Sequence, residues 1–327
     1  LLQFASYLFP IITVPYLSRV IGVEGYGKIA FASAVMVWVQ TVADWGFLLT
    51  ATRDVAKCRD NKAEVSRIFS ETFFARCLLA IVSFIFLCLL ILIVPDFKEN
   101  AEILFVTFLM IPGYIMFPDW FFQAIERMRY TTITNLLVKT IFTVAVFIFI
   151  KEKGDYIIVP LLASLGTVAA GIIAMYLILK KWDYSLHRVS FHSVILAIKR
   201  STDVFINNLF PNLYNSLSVV LLGIYDGSVA NGIYSEGNKF VNIGQSVLGV
   251  VTRVFFPFLS RRIDKHRIYV VVYMGATFCI AVILFVSAPW LIDWLYTDEF
   301  ADAIPVLRIM SISLVFVAMS TAYGTNY

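Results

Sequence analysis

The chain has 327 residues, of which 60% are hydrophobic and only 15% charged, with a formal net charge of +4. Mean hydropathy is +0.83. Soluble globular domains carry roughly 25% charged residues, so that class is excluded and an all-α polytopic membrane protein is implied. The basic excess does not point to nucleic acid, because Lys and Arg sit between apolar runs instead of forming one stripe.

Apolar runs of about 20 residues suffice to cross a hydrocarbon core of about 30 Å. Ten such spans are predicted, at 1–21, 28–51, 69–94, 102–123, 131–150, 156–179, 203–224, 231–258, 268–292 and 302–327. Leu1 opens the chain without a methionine and Tyr327 closes it inside an apolar run, so a longer parent chain is expected. Counted over the connections, alternate loops hold 16 Lys plus Arg against 4. By the positive-inside rule the richer set is cytoplasmic, which places the N-terminus inside. The opposite face is acidic, with Asp293, Asp298, Glu299 and Asp302 in one loop. Trp182, Tyr184, Trp290, Trp294 and Tyr296 follow span ends, as interfacial anchors do.

The longest connection, 181–202, contains Ser190, then Val194, Ile195 and Ile198, then Lys199 and Arg200. That pattern predicts a short amphipathic helix on the cytoplasmic surface. It separates two similar stretches: Leu8 to Gly22 and Leu209 to Gly223 share a Leu-Phe-Pro triplet and a terminal glycine at a spacing of 201. Farther on, Gly27 answers Gly232 and Gln40 answers Gln245 at a spacing of 205. An internal duplication follows. Six spans lie between the copies, so they run parallel, about a pseudo-twofold axis along the membrane normal. The expected division is an N-terminal six-helix lobe at 1–183, a cytoplasmic amphipathic linker at 184–201, and a C-terminal lobe at 202–327 with four helices.

No catalytic motif is present: neither G-x-x-x-x-G-K-[ST], H-E-x-x-H, C-x-x-C nor G-x-S-x-G occurs. ATP hydrolysis is therefore not expected, nor a cofactor or metal. Cys58, Cys77, Cys88 and Cys279 read as packing residues, and His187, His192 and His266 as members of solvated basic loops.

Polar groups within the spans carry the functional signal. Arg19, Asp44, Arg76, Asp119, Lys139, Glu236, Lys239, Arg253 and Arg308 lie in or near apolar segments. A charged side chain at mid-membrane costs about 2.5 to 3.5 kcal/mol, so several cannot all face lipid. Lys139 is nine residues beyond Tyr130, about 13 Å into the span, and Lys239 and Arg76 are comparably deep. Arg19, Arg253 and Arg308 lie nearer span ends, where snorkelling is an equal alternative. Asp44 shares a helix face with Gln40, while Asp119 follows Pro118 in a span already interrupted by Pro112 and Gly113. Glu236 and Lys239, three apart, either neutralise each other or face a cavity. Asn208, Asn212 and Asn215 fall on one face of the seventh span, near Pro211, as an interhelical hydrogen-bonding stripe or as a cavity wall for sugar hydroxyls or phosphate oxygens.

The stretches QFASYLFPIITVPYLSRVIGVEGYGKIAFA, TVADWGFLLTATRDVAK and NGIYSEGNKFVNIGQ together resemble polysaccharide flippases of the Wzx type. These belong to the superfamily of multidrug and toxin extrusion transporters and the lipid II flippase. The resemblance implies two lobes of six or more helices around a central cavity, in the bacterial inner membrane. It implies an undecaprenyl-diphosphate-linked oligosaccharide, such as an O-antigen repeat unit, as substrate, and membrane lipid as surroundings. Polysaccharide polymerase and chain-length regulator are implied partners. Family precedent assigns cavity cations to the anionic headgroup, which maps onto Arg19, Arg76, Lys139, Lys239 and Arg253. With no ATPase motif, transport is driven by an ion gradient, of protons or Na+, or by consumption of product outside. Asp44, Asp119 and Glu236 are the coupling candidates. A drug exporter of the same fold would need a more acidic or aromatic interior. A membrane enzyme of polysaccharide assembly would need a larger extramembrane loop than 181–202.

Overall fold

The computed structural model describes residues 2–259 and 266–324, with side chains over 9–250 and 269–321. Every regular element among the described residues is helical. That follows from the composition, since a chain surrounded by hydrocarbon can satisfy its backbone only within helices or a closed barrel.

The first two predicted spans form one helical run, α1 (Leu2–Asp44), broken at Gly22 with φ 65°. Glycine adopts this left-handed value without the Cβ clash that bars other residues. After Asp44, positive φ values at Trp45 (42°) and Gly46 (79°) turn the chain into α2 (Phe47–Lys57). α3 (Lys62–Ile93) begins where the Asn61 side chain accepts a hydrogen bond from the Glu64 N–H at 3.2 Å. A short α4 (Pro95–Glu99) follows. The fourth span is divided into α5 (Ala101–Phe108), α6 (Met110–Met116) and α7 (Asp119–Ala124), as Pro112, Gly113 and Pro118 foretell. Then come α8 (Met128–Phe149), α9 (Ile158–Tyr176), α10 (Phe191–Tyr225), α11 (Gly227–Leu259), α12 (His266–Leu295) and α13 (Ala303–Gly324).

The linker helix differs from its expected form. Ser190 caps it, accepting from the Ser193 N–H at 3.1 Å, but the helix continues for 35 residues into the seventh span. No glycine or proline lies between Phe191 and Phe210 to stop it. Surface segment and span are thus one rod.

Seven stretches among the described residues are long and apolar enough to cross a membrane. One of them, Phe9–Lys57, contains both of the first two predicted spans. α10 and α11 are not in this set, because asparagines and the Glu236 and Lys239 pair dilute their apolar character. The outer surface of the others is apolar, with Leu92 and Ile93 more than 70% exposed. The chain is therefore an all-α polytopic membrane protein.

Inside, three apolar clusters hold the helices. The first half of α1 packs with α8, α11, α12 and α13 around Val146, Tyr273 and Phe300. α2, α3, α7 and the end of α9 meet around Phe69, Phe121 and Ile178. The second half of α1 meets α3, α5 and α6 around Met36, Leu104 and Ile111. Where α1 crosses α11, Gly27 lies against the Ser228 carbonyl, which a Cβ would approach to 1.6 Å. Reciprocally, a Cβ on Gly232 would sit 2.3 Å from the Val23 carbonyl. Asn231, fully buried, donates to the Gly27 carbonyl at 3.2 Å and locks the crossing.

Gly27→Ala is expected to push α1 and α11 apart at a cost of about 1–3 kcal/mol, read as a lowered Tm of the purified protein in detergent. Gly154→Ala, which would meet nothing within 4 Å, should leave Tm unchanged.

Candidate functional site

Two helix breaks and one unbroken helix bring the first group of charges together. Asp44 ends α1, Asp119 begins α7, and Arg76 lies near the middle of α3. The Arg76 Nη2 donates to Asp44 Oδ1, with the guanidinium side chain 7% exposed and the carboxylate 39%. Asp119 is exposed yet close enough to feel both charges, and Tyr114 feels both acids. The Arg76 Nε is buried with no hydrogen-bond partner among the described residues. A guanidinium offers five donors in a planar fork, so this arginine keeps capacity for a further oxygen ligand.

A second group is centred on Glu236 of α11, which is 4% exposed. Its Oε2 accepts from both Lys239 Nζ and the Tyr296 hydroxyl. The Lys239 ammonium also lies 5.4 Å from the centroid of the Tyr26 ring on α1. Helix spacing alone pairs Glu236 with Lys239, but the network reaches across to α1 and to the residues after α12. Beside it lies a cavity of about 290 Å³ whose lining includes Ile11, Val14, Lys239, Ser246 and Tyr296.

A polar seam joins α1 and α2 to α10. Trp38 Nε1 donates to Ser216 Oγ at 2.7 Å, and Asn212 Nδ2 donates to Thr41 Oγ1 at 3.0 Å. Trp45 Nε1 donates to the Ile198 carbonyl at 3.1 Å, and the Trp45 ring stacks on Phe205 at 3.7 Å between centroids. Such an aromatic pair adds about 0.5–1.5 kcal/mol beyond its buried area. The hydroxyls of Thr50 and Ser201 close the run at 2.7 Å. Near the Gly22 break a different residue bridges distant parts of the chain: Glu299 Oε2 accepts from the Val23 N–H at 3.2 Å, and Oε1 lies 3.7 Å from Lys153 Nζ.

Of the predicted site residues, the structure therefore joins Asp44, Arg76 and Asp119 in one group and Glu236 and Lys239 in another. Asn212 serves the seam, while Asn208 and Asn215 are exposed. Arg19 is exposed on α1, and Lys139 is half-buried on α8. The Arg253 side chain lies outside the described residues. Arg308 donates to the Phe285 carbonyl at 3.4 Å and covers the Phe285 ring, which ties it to α12. Sequence reasoning missed Tyr26, Trp38, Trp45 and Glu299 and read Tyr296 as an interfacial anchor. Val23 and Glu299 are 276 residues apart, and nothing local in either stretch signals their contact.

Arg76→Ala leaves Asp44 and Asp119 without their shared cation. A broken buried pair costs about 3–5 kcal/mol; discounted for the exposure of Asp44, a loss of about 2 kcal/mol is expected. Thermal melts of Arg76→Ala, Asp44→Asn and the double variant check this, the double variant being more stable than Arg76→Ala alone.

Residues 1–263 match the family profile described as "Polysaccharide biosynthesis protein". The chain is 28% identical over 330 residues to a protein of Escherichia coli (strain K12) described as "Putative O-antigen transporter", the match covering 98% of this chain and 80% of that protein. A protein of Shigella dysenteriae with the same description is 24% identical over 322 residues, covering 97% and 81%. No solved structure gives a significant match.

Proposed function

Since the chain belongs to the polysaccharide biosynthesis protein family, we propose that it flips undecaprenyl-diphosphate-linked oligosaccharide repeat units from the cytoplasmic to the periplasmic leaflet of a bacterial inner membrane. The observation that carries this reading is the convergence of Asp44, Arg76 and Asp119, from three separate helices, in an otherwise apolar protein. Residues 1–183 and 202–327 form the two lobes, the N-terminus is cytoplasmic, and access alternates as the lobes rock.

Arg76 takes the diphosphate. Its unpartnered Nε and its Nη groups offer charge-assisted donors to phosphate oxygens. An approaching diphosphate competes with Asp44 for the guanidinium, and once the substrate has left outside, a proton or Na+ neutralises the acidic groups for the return, so that substrate and ion occupy the site in turn. Lys239, already held by Glu236, supplies a second cation. Gating contacts fit the same scheme: Glu299 closes the end that the distribution of Lys and Arg places outside, and the Trp45 and Phe205 stack with Thr50 and Ser201 closes the other. These two sets part in turn. One elementary charge crossing 100 mV supplies about 2.3 kcal/mol, enough to bias such an exchange.

Deletion of the gene is expected to remove polymerised surface polysaccharide and to leave lipid-linked repeat units in the cytoplasmic leaflet. Unchanged surface glycan with altered drug tolerance would overturn the reading. For the coupling step, flipping in proteoliposomes should respond to an imposed pH or Na+ gradient and lose that response when Asp44, Asp119 and Glu236 are replaced by alanine. Flipping indifferent to both gradients, and intact in the triple variant, removes ion coupling while leaving the transport reading in place.

A further inference from the structure

Between α1 and α3 lies an apolar groove of about 260 Å³ that the two charged groups do not use. Its floor is buried, with Val35 and Leu87 each 1% exposed, and its rim opens outward at Val82 and Phe86, 52% and 58% exposed. Both walls belong to stretches long and apolar enough to cross a membrane. An occupant at that depth must be a hydrocarbon chain.

Two features say which chain. Ser83, Leu87 and Leu90 line the groove and follow Arg76 on α3 at i+7, i+11 and i+14, which places them on the helix face that carries the guanidinium. At about 1.5 Å per residue the groove runs from about 10 to about 21 Å beyond Arg76. It is therefore aligned with the Asp44, Arg76 and Asp119 group as a tail is with its headgroup. The second feature is the other wall, where Trp38 lines the groove and its indole N–H is bonded to Ser216 of α10. Trp38 thus bounds both the groove and the seam between α1 and α10.

A phospholipid keeps its headgroup at the membrane interface among its neighbours. Arg76 lies 14 residues from the start of α3 and 17 from its end, so a headgroup on it has left the interface. Only a lipid whose head is drawn into the protein sets the first part of its chain in this groove. Resting on the flippase reading, we infer that the groove between α1 and α3 binds the head-proximal isoprene units of the polyprenyl substrate while its diphosphate is on Arg76. In the proposed orientation the groove occupies the periplasmic half of α3. A chain lying there points the way it pointed in the cytoplasmic leaflet, so the groove holds the substrate as loaded, before its chain reverses.

The test uses the full-length protein in vesicles of phosphatidylethanolamine and phosphatidylglycerol. One arm carries a sugar-diphosphate polyprenol with a photoreactive diazirine in its first isoprene units, the other a phosphatidylglycerol with a diazirine in its acyl chain. Adducts are mapped by mass spectrometry. The polyprenyl probe is expected to label 35–42 and 82–90 in preference to the phospholipid probe by at least about tenfold, the least that one charge-assisted contact with Arg76 supplies. Arg76→Ala should abolish that preference, and Ser83→Leu, which fills the groove, should reduce polyprenyl labelling there. Equal labelling by both probes, or polyprenyl adducts confined to other helices in vesicles that still flip, overturns the groove and leaves the transport reading standing. No polyprenyl labelling together with no flipping overturns both.

Discussion

An ionised side chain within a hydrocarbon-embedded helix bundle has to be met by another polar group or by water, and the interior of this protein is arranged around that requirement. Arg76 is met by Asp44, and Lys239 by Glu236, which Tyr296 also serves. These pairings decide which helices can approach which. α3 is held to the end of α1 by one, and α11 to the residues after α12 by the other. They also alter the chemistry expected of the interior. A cavity lined by bare cations would hold an anion by net charge, whereas in the proposed function the paired cations take a diphosphate by exchange of partners, and a ligand that enters by displacing an internal carboxylate can be expelled by the same carboxylate.

The helix breaks follow from the same constraint. Gly22, between the first two spans, and the Trp45 and Gly46 turn and Pro118, within spans, interrupt the helices, and each break frees polar backbone or side-chain groups that need partners. Irregular backbone at membrane depth is tolerated only where protein or a cavity satisfies it. At the first break the Val23 N–H is taken by Glu299, at the second Asp44 faces Arg76, and at the third Asp119 begins α7 beside that pair. Glycine and proline thus act here as the means of delivering carboxylates and amides to chosen depths.

Much of this was legible in the residues. Long apolar runs are set by bilayer thickness, and the interruptions at Pro112, Gly113 and Pro118 are set by local backbone chemistry, so the span pattern and the broken fourth span could be read directly. The pairing of Glu236 with Lys239 was also readable as one of two alternatives, because three residues along a helix bring side chains together whatever the tertiary structure. What could not be read depends on contacts between distant segments. Glu299 on Val23, Trp45 on Phe205 and Asn212 on Thr41 join residues separated by 276, 160 and 171 positions. A single sequence records such contacts only as ordinary polar or aromatic residues in helices. The unbroken run of α10 was missed for a different reason: the pattern following Ser190 located a helix there, but a change from surface to span composition does not by itself end a helix.

The two stretches related by spacings of 201 and 205 meet each other's neighbours in the structure, and the comparison exposes an asymmetry. In the seam between α1 and α10, Asn212 donates to Thr41. The residues offset from these by the same spacings, Ile11 and Ser246, instead line the cavity of about 290 Å³ beside Lys239. One seam is closed there by a hydrogen bond worth about 0.5–1.5 kcal/mol net, reinforced by the Trp38 and Ser216 bond. The other is open at the corresponding level and closes only farther along, where Gly27 and Gly232 allow backbones to touch. The two seams thus have unequal cohesion, since parting the first leaves the Asn212 amide and the Trp38 indole N–H without partners, whereas the second is already open at its cavity. A bundle that rocked about two equally strong seams would have no preferred order of opening. In the proposed rocking of the lobes unequal seams impose one, and the difference arises from Asn212, Thr41, Trp38 and Ser216 in one seam against Ile11, Ser246, Ile243 and Pro15 at the positions offset by the same spacings.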